Sequence, residues 1–229
     1  MHVYCINLER RRDRRESVQT EFTRAGIDNV EFFPATDGRV DTPDGLYVSA
    51  PEYGCASSHV RVWRDMVAKG YETALVFEDD VQLLPNFKTK LEGILEDAPS
   101  EWDMIFLGHL TPIRKRKVSE KLFEGQPLGT HAYLINIECA RKISVFDPKL
   151  IRIGIDFQLN RFPIRILCTK EILASQGDIS SEKGFMSFKS MIDGDIGLER
   201  TWDFDFLIRL IAEPVIFFIF TMLVLSWAS

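Results

Sequence analysis

The chain has 229 residues, of which 45% are hydrophobic and 27% charged, and its formal net charge at pH 7 is -6. This is the length and composition of one large globular domain, which excludes disordered and fibrous proteins. A mildly acidic chain also lacks the broad basic surface that nucleic-acid binding requires, so no nucleic-acid partner is expected.

Short apolar runs predict buried strands, and longer segments with helical spacing predict the helices between them. The first elements in chain order are a strand over Val3–Asn7, a helix over Arg10–Ala25, a strand over Val30–Pro34, a helix from Ser57 or Ser58 to Lys69, a strand over Thr73–Phe77, a helix over Asn86–Asp97 and a strand over Asp103–Leu107. The later elements are a strand over Ala132–Asn136, a short helix over Glu138–Ser144 and a strand over Arg165–Thr169.

The alternation of strands and helices predicts an α/β fold for residues 1–205. The strands are continuous apolar runs, which is typical of a mostly parallel sheet covered by helices on both faces. Residues 111–127 are basic and contain Gly and Pro, so we expect a mobile loop there. Ligands of such sheets bind beyond the carboxyl ends of the strands, which directs attention to residues 7–15, to residues 78–80 and to the loop after Leu107.

The C-terminal residues 206–229 are predicted to form a hydrophobic helix that anchors the chain in a membrane. Extended back to Phe206, the apolar run is long enough to cross a bilayer, which takes about 20 residues, although it includes Arg209 and Glu213. A buried core helix and an interfacial helix are the alternatives. No secretory signal pattern precedes the first strand, so we expect the domain before the tail to be cytosolic.

The cysteines of the chain are Cys5, Cys55, Cys139 and Cys168. They contain no C-x-x-C pair, which argues against a zinc site. They also suggest no disulfide framework, in agreement with a reducing compartment.

Three adjacent carboxylates, Glu78, Asp79 and Asp80, follow the predicted strand Thr73–Phe77. Adjacent anions raise one another's pKa, so such a cluster needs either an exposed position or a neutralising cation. Two carboxylates suit a hard divalent cation, Mg²⁺ or Mn²⁺, whose remaining coordination positions can bind diphosphate oxygens. A solvated acidic turn is the alternative, and the position after a buried strand favours the metal site.

Several motifs occur in an order that resembles glycosyltransferase family 25, which includes bacterial lipooligosaccharide galactosyltransferases and collagen galactosyltransferases. The resemblance extends from about Val3 to about Ser180. The motifs are Ile6-Asn7-Leu8 followed by Arg11-Arg12-x-Arg14-Arg15, Ala35-x-Asp37-Gly38, Gly54-Cys55-x-x-Ser58-His59, Leu75-Val76-Phe77-Glu78-Asp79-Asp80, Trp102-Asp103, Leu107-Gly108 and Gly129-Thr130-x-Ala132-Tyr133.

The resemblance implies a GT-A fold, a nucleotide-diphosphate sugar donor (often UDP-galactose) and transfer with inversion at the anomeric carbon. It also implies that Glu78-Asp79-Asp80 is the acidic metal motif, with Asp79 and Asp80 as the ligands of Mn²⁺ or Mg²⁺. The acceptor would be a glycan, glycolipid or glycoprotein. The segment after Ser181 is not clearly matched.

The donor site is predicted from residues that follow the strands. Helix N-termini attract anions, and the planar guanidinium of Arg can donate two parallel hydrogen bonds to a phosphate. The residues after the first strand are therefore expected to contact the nucleotide or its diphosphate. The turn at Asp37 and Gly38 is expected either to contact ribose or base, or to be a plain turn. The predicted donor-binding residues are Asn7, Arg11, Arg14, Asp37, Gly38, Ser58, His59 and Glu78.

Inverting transfer needs a general base at the mouth of the pocket. Asp156 is isolated among apolar residues, where burial would raise its pKa towards a useful value, and it is the first candidate. Asp178 is the second candidate. His109, which follows a strand end, is considered as a third metal ligand or an acceptor contact, and His131 is a similar case.

Two other functions remain open at this point. The chain could be a non-catalytic, membrane-tethered sugar-binding or scaffold protein with the same fold. It could also be a metal-dependent phosphohydrolase that uses the same carboxylates, and such an enzyme would release free phosphate without an acceptor sugar.

Overall fold

The computed structural model describes residues 1–176. The predicted C-terminal helix over 206–229 and the candidate base Asp178 lie outside these residues. Within them, no helix has both the length and the apolarity needed to cross a membrane.

Helices and strands alternate along the first half of the chain. The helices are α1 Arg12–Ala25, α2 Ala50–Lys69, α3 Phe87–Asp97, α4 Ile137–Ile143 and α5 Ile155–Leu159, with a short 3-10 helix at Pro148–Leu150. The strands are β1 His2–Asn7, β2 Val30–Pro34, β3 Thr73–Glu78, β4 Val81–Leu83, β5 Met104–Phe106, β6 Leu110–Lys117, β7 Leu122–Leu128, β8 Ala132–Asn136, β9 Ile166–Thr169 and β10 Ala174–Gln176.

Eight of these strands form one sheet in the order β2-β1-β3-β8-β5-β9-β7-β6. The β1–β2, β1–β3 and β5–β9 pairs are parallel and the others antiparallel, so β7 and β8 run against the direction of the remaining strands. The predicted α/β fold with a mostly parallel sheet is confirmed in this sense. Outside this sheet, β4 and β10 pair with each other as a two-stranded antiparallel sheet.

The sheet separates two hydrophobic cores, because successive side chains of a strand point to opposite faces. In β3, Val76 packs in the core that holds α2 and α4, whereas Leu75 and Phe77 pack in the core that holds α1 and α3. Helices therefore cover both faces of the sheet, as the continuous apolar strands predict.

Helix α2 begins at Ala50, so the predicted start near Ser57 or Ser58 was wrong. Both the backbone N–H and the hydroxyl of Ser49 contact the Glu52 carboxylate, at 2.8 and 2.6 Å, and Pro51 lies in the first turn. A Ser-x-x-Glu sequence with Pro in the first turn is a helix start signal. We missed it because the apolar periodicity is clear only further along the helix.

The loop predicted over residues 111–127 was also wrong, because most of this segment belongs to the hairpin of β6 and β7. Gly125 and Pro127 lie inside β7, and register shifts interrupt β6, so alternation of polar and apolar residues is hard to see in the sequence. Burial of Leu122 and Phe123, together with the pairing of β7 to β9, holds the hairpin on the main sheet.

Candidate active site

The site lies where β1 and β3 end side by side. These parallel strands pair with Ile6 opposite Glu78, so Asn7 and Asp79 follow at the same edge. The Asn7 amide donates to one carboxylate oxygen of Asp79 at 2.7 Å and to the carbonyl of Arg11 at 3.2 Å. The first strand-to-helix turn is thereby tied to the acidic triplet.

Arg14 contacts the triplet from α1. Its Nη1 is 3.0 Å from the Oδ1 of Asp79 and 3.4 Å from the Oδ2 of Asp80. Both carboxylate oxygens of the buried Asp79 therefore accept hydrogen bonds from protein groups. The Arg11 guanidinium, by contrast, pairs with the exposed carboxylate of Asp13 at 2.7 Å, and its predicted contact with the donor stays a prediction.

Glu78 points towards α2. Its Oε1 accepts a hydrogen bond from the Thr130 hydroxyl at 2.7 Å and lies 3.2 Å from the Nε2 of His59. Burial by itself raises the pKa of Glu78, but the contacts with His59 and Thr130 outweigh burial and hold that pKa below its usual range. Glu78 is therefore an anion at neutral pH.

Asp80 has the opposite behaviour. Burial and the negative charges of Glu78 and Asp79 raise the pKa of Asp80 above its ordinary value, against the effect of Arg14. Its side chain is nevertheless 27% exposed. The Nε2 of Gln176 is 3.3 Å from both Glu78 and Asp80, so these two carboxylates share one face of the site. A cation that reached this face would stabilise the charged form of Asp80.

Asp156 borders the same site from the first turn of α5. Its carboxylate accepts hydrogen bonds from the backbone N–H of Gly129 at 3.0 Å and of Phe157 at 2.8 Å. Burial raises the pKa of Asp156, and the charge of Glu78 adds to that rise. Gly129 precedes Thr130, whose hydroxyl contacts Glu78, so the Gly129–Thr130 backbone connects Asp156 to the triplet.

Among the other predicted donor contacts, Asp37 ties the loop after β2 to the turn between β1 and α1, and Ser58 ties that loop to α2. Asp37 pairs with the Nε of Arg10 at 2.6 Å. The hydroxyl of Ser58 accepts from the N–H of Thr36 at 2.9 Å and donates to the carbonyl of Gly54 at 2.6 Å. A role of Asp37 or Ser58 in donor binding stays a prediction.

Gly38 lies so close to α2 that a Cβ atom there would collide with the backbone carbonyl of Ala50. We therefore expect Gly38→Ala to lower the free energy of unfolding by about 1–3 kcal/mol. Gly93→Ala is the control, because a Cβ there meets the flexible end of Lys121 and Ala favours the α3 helix. Urea unfolding followed by circular dichroism measures both, and an unchanged midpoint for Gly38→Ala would contradict the packing argument.

The other two histidines that the sequence offered as site candidates, His109 and His131, bond to backbone rather than to the triplet. The Nε2 of His109 lies 2.9 Å from the carbonyl of Thr169, and that of His131 lies 3.2 Å from the carbonyl of Ala174. Sequence reasoning missed Cys55, which stands in a family motif but was not selected as a site residue, and it also missed Gln176. Gln176 reaches the triplet through the β4–β10 pairing, which no local pattern reveals.

A family model described as "Glycosyltransferase family 25 (LPS biosynthesis protein)" matches residues 1–117, slightly more than half of the chain. The chain belongs to glycosyltransferase family 25. The resemblance seen in the sequence motifs is thereby confirmed.

Two curated members of family 25 illustrate its range. A "Glycosyltransferase 25 family member" of Aedes aegypti is 36% identical over an alignment of 170 residues, and the match covers 62% of this chain and 27% of that protein. The "Inactive glycosyltransferase 25 family member 3" of Homo sapiens is 30% identical over an alignment of 171 residues, and the match covers 64% of this chain and 29% of that protein. The chain thus spans less than a third of the length of these relatives.

Among solved structures, that of A197 from STIV covers 78% of this chain and 86% of its own, with a TM-score of 0.48 and 12% sequence identity.

Proposed function

We propose that this chain is a metal-dependent, inverting glycosyltransferase that moves a sugar, with galactose expected, from a nucleotide-diphosphate donor. The acceptor would be a hydroxyl of a glycan, glycolipid or glycoprotein. The observation that carries the proposal is the convergence of Glu78, Asp79 and Asp80 with Asn7 and Arg14 at the carboxyl edge of the sheet, where α/β proteins bind their ligands.

The donor set fits a hard divalent cation, Mn²⁺ or Mg²⁺. Asp80 is the first ligand we propose, because its side chain is partly exposed and nearby anions destabilise its charge. Either Glu78, which shares the Gln176 contact, or Asp79 would be the second ligand. When bound, the cation would neutralise charge on the donor diphosphate and so assist its departure.

The chain's own groups have separate roles in the proposed transfer. Asn7 and Arg14 fix the orientation of Asp79, and the N-terminus of α1 beside them attracts the anionic donor. Asp156 is the proposed general base. It takes the proton of the acceptor hydroxyl while that oxygen bonds to the anomeric carbon from the face opposite the diphosphate, and the bond to the diphosphate breaks.

A non-catalytic role is the second candidate. Both oxygens of Asp79 and the Oε1 of Glu78 already have protein partners, which would suit a triplet that only holds the fold together. A human relative is also named inactive. In this reading the chain would bind sugars or other proteins without turnover.

The test uses the purified full chain with a panel of nucleotide sugars and glycan acceptors, with Mn²⁺ or with EDTA. We expect release of nucleoside diphosphate that requires both Mn²⁺ and an acceptor. Nucleotide binding without turnover would favour the non-catalytic role, and acceptor-independent phosphate release would indicate a phosphohydrolase. If the chain shows no turnover and no Mn²⁺-dependent nucleotide binding, the proposal is overturned.

We also propose that the enzyme works at the cytosolic face of a membrane, where nucleotide sugars and a membrane-bound acceptor would meet. The support is the apolar composition of residues 206–229. Fractionation of cells that express the full chain tests this, and recovery of the protein in the high-speed supernatant would contradict it.

A further inference from the structure

A thiol, an imidazole and a carboxylate meet beside the acidic triplet. Cys55 and His59 are four residues apart on α2 and so lie on one helix face, which points towards Glu78 at the end of β3. One ligand atom from each of the three residues lies within 4.8 Å of the other two. The Nε2 of His59 and the Oε1 of Glu78 are 3.2 Å apart.

The 3.2 Å between the Nε2 of His59 and the Oε1 of Glu78 is close to the ligand spacing of a tetrahedral zinc site, and the three ligand atoms all lie within 4.8 Å of one another. Zinc binds thiolate sulfur at about 2.3 Å and imidazole nitrogen or carboxylate oxygen at about 2.0–2.2 Å, which places its ligand atoms roughly 3.3–3.7 Å apart. A set with one sulfur and one nitrogen ligand selects zinc-like cations over Mn²⁺ or Mg²⁺, which prefer oxygen. Three protein ligands would leave the fourth position open.

The surroundings of His59 and Glu78 support metal binding. The Nδ1 of His59 is 2.9 Å from the hydroxyl oxygen of Tyr133. With a metal on Nε2, the Nδ1–H can donate to that oxygen and fix the ring, as metal-bound histidines generally require. The Thr130 hydroxyl holds Glu78 in the same way. Groups outside the cluster therefore already orient two of its three ligands.

We propose that Cys55, His59 and Glu78 form a binding site for a thiophilic divalent cation of the zinc class. As the metal–sulfur bond forms, the thiol of Cys55 releases its proton to solvent. This proposal departs from the expectation, based on the absence of a C-x-x-C pair, that the chain has no zinc site. Here the ligands come from one helix and one strand end.

The new site has a regulatory consequence that rests on the proposed function. Glu78 belongs both to this cluster and to the face it shares with Asp80. A zinc-class cation bound to Glu78 would lie beside the site proposed for Mn²⁺ or Mg²⁺ and repel that cation. The Glu78 carboxylate would then no longer be available to the Mn²⁺ or Mg²⁺ site. Zinc would therefore inhibit the Mn²⁺-dependent transfer.

Cobalt titration of the metal-stripped full chain tests binding without any need for activity, because a Co²⁺–thiolate bond gives a charge-transfer absorption band in the near ultraviolet. We expect this band in the wild type, its displacement by Zn²⁺, and its loss in Cys55→Ser. Cys139→Ser is the matched control, since Cys139 is a buried thiol of the same core on α4, and it should keep the band. A wild type without the band, or a Cys55→Ser variant that keeps it, would overturn the proposal.

Glu78→Gln provides a second measurement if Cys55→Ser fails to fold. It should keep the thiolate band but weaken Co²⁺ binding at least about tenfold, and unchanged affinity would exclude Glu78 as a ligand and so overturn the site. Zinc inhibition of transfer should need at least about tenfold more Zn²⁺ in Cys55→Ser than in Cys139→Ser. A chain that lacks transferase activity but shows the band would refute the proposed function and leave the metal site intact.

Discussion

Replacing Asp80 with Asn is expected to lower sugar transfer about 10³-fold, because it removes the proposed first ligand of the cation. Cation stabilisation of developing charge amounts to several kcal/mol, and each tenfold in rate corresponds to about 1.4 kcal/mol. The rate of nucleoside diphosphate release at saturating Mn²⁺ and donor measures the effect. Asp44→Asn, which changes an exposed carboxylate in the loop before α2, should leave that rate within about twofold of wild type.

The Asp80→Asn substitution is also expected to make the metal-free protein more stable at neutral pH. The pKa of Asp80 is raised in the folded state, so folding favours the protonated, neutral form of its carboxyl group. The stability that this neutral carboxyl contributes is lost as the pH rises through the raised pKa. An asparagine is neutral at every pH and avoids this loss. We expect the Tm to rise by about 2–6 °C. A lower Tm together with lost activity would mean that Asp80 supports the fold, which is what the non-catalytic role predicts.

Replacing Asp156 with Asn should lower transfer about 10²–10⁴-fold, as expected for loss of a general base. Nucleotide binding, measured by calorimetry in Mn²⁺, should stay within about threefold of wild type, because Asp156 is proposed to act on the acceptor. The N–H groups of Gly129 and Phe157 both donate to the Asp156 carboxylate, whereas an asparagine side chain has only one acceptor oxygen. One N–H group would be left unpaired, so the variant should also lose about 1–3 kcal/mol of stability. Loss of nucleotide binding in a folded variant would contradict the assignment.

The pH profile gives an independent check on Asp156. A general base works only when deprotonated, so kcat/KM should fall as the pH falls through its pKa. Burial raises that pKa, so the acidic limb should lie above the value of about 3.9 found for an ordinary aspartate. If the limb is the same in Asp156→Asn as in the wild type, another group is responsible for it.

The sequence was sufficient to predict the parts of the fold that depend on local patterns. Apolar runs located β1, β2 and β3 to within a residue or so. Helix α1 ends at Ala25, before Gly26, as expected, because the N–H of Gly26 in the left-handed conformation satisfies carbonyls of the last helical turn. The parallel pairing of β1 and β3 follows from the helical crossover between them. Asn7 and the acidic triplet could therefore be predicted to lie at one edge.

Features that depend on contacts between distant segments were not predictable in this way. The reversed strand β8 lies between β3 and β5, and its apolar sequence would suit either direction. Gln176 has no local signal, and Thr130 stands in a family motif that does not specify its partner. Only the tertiary fold brings these two residues to Glu78. Asp37 and Ser58 belong to family motifs, but their contacts show that a motif residue can serve loop packing.

The acidic triplet connects two sheets. Glu78 is the last residue of β3 in the eight-stranded sheet, and β4, which pairs with β10, begins at Val81. The backbone on both sides of Asp79 and Asp80 is thus held by strand hydrogen bonds, so the carboxylates cannot move far apart to relieve their mutual repulsion. This repulsion is present before any ligand arrives, and a cation that relieves it would bind more tightly than it would to three carboxylates on a mobile loop.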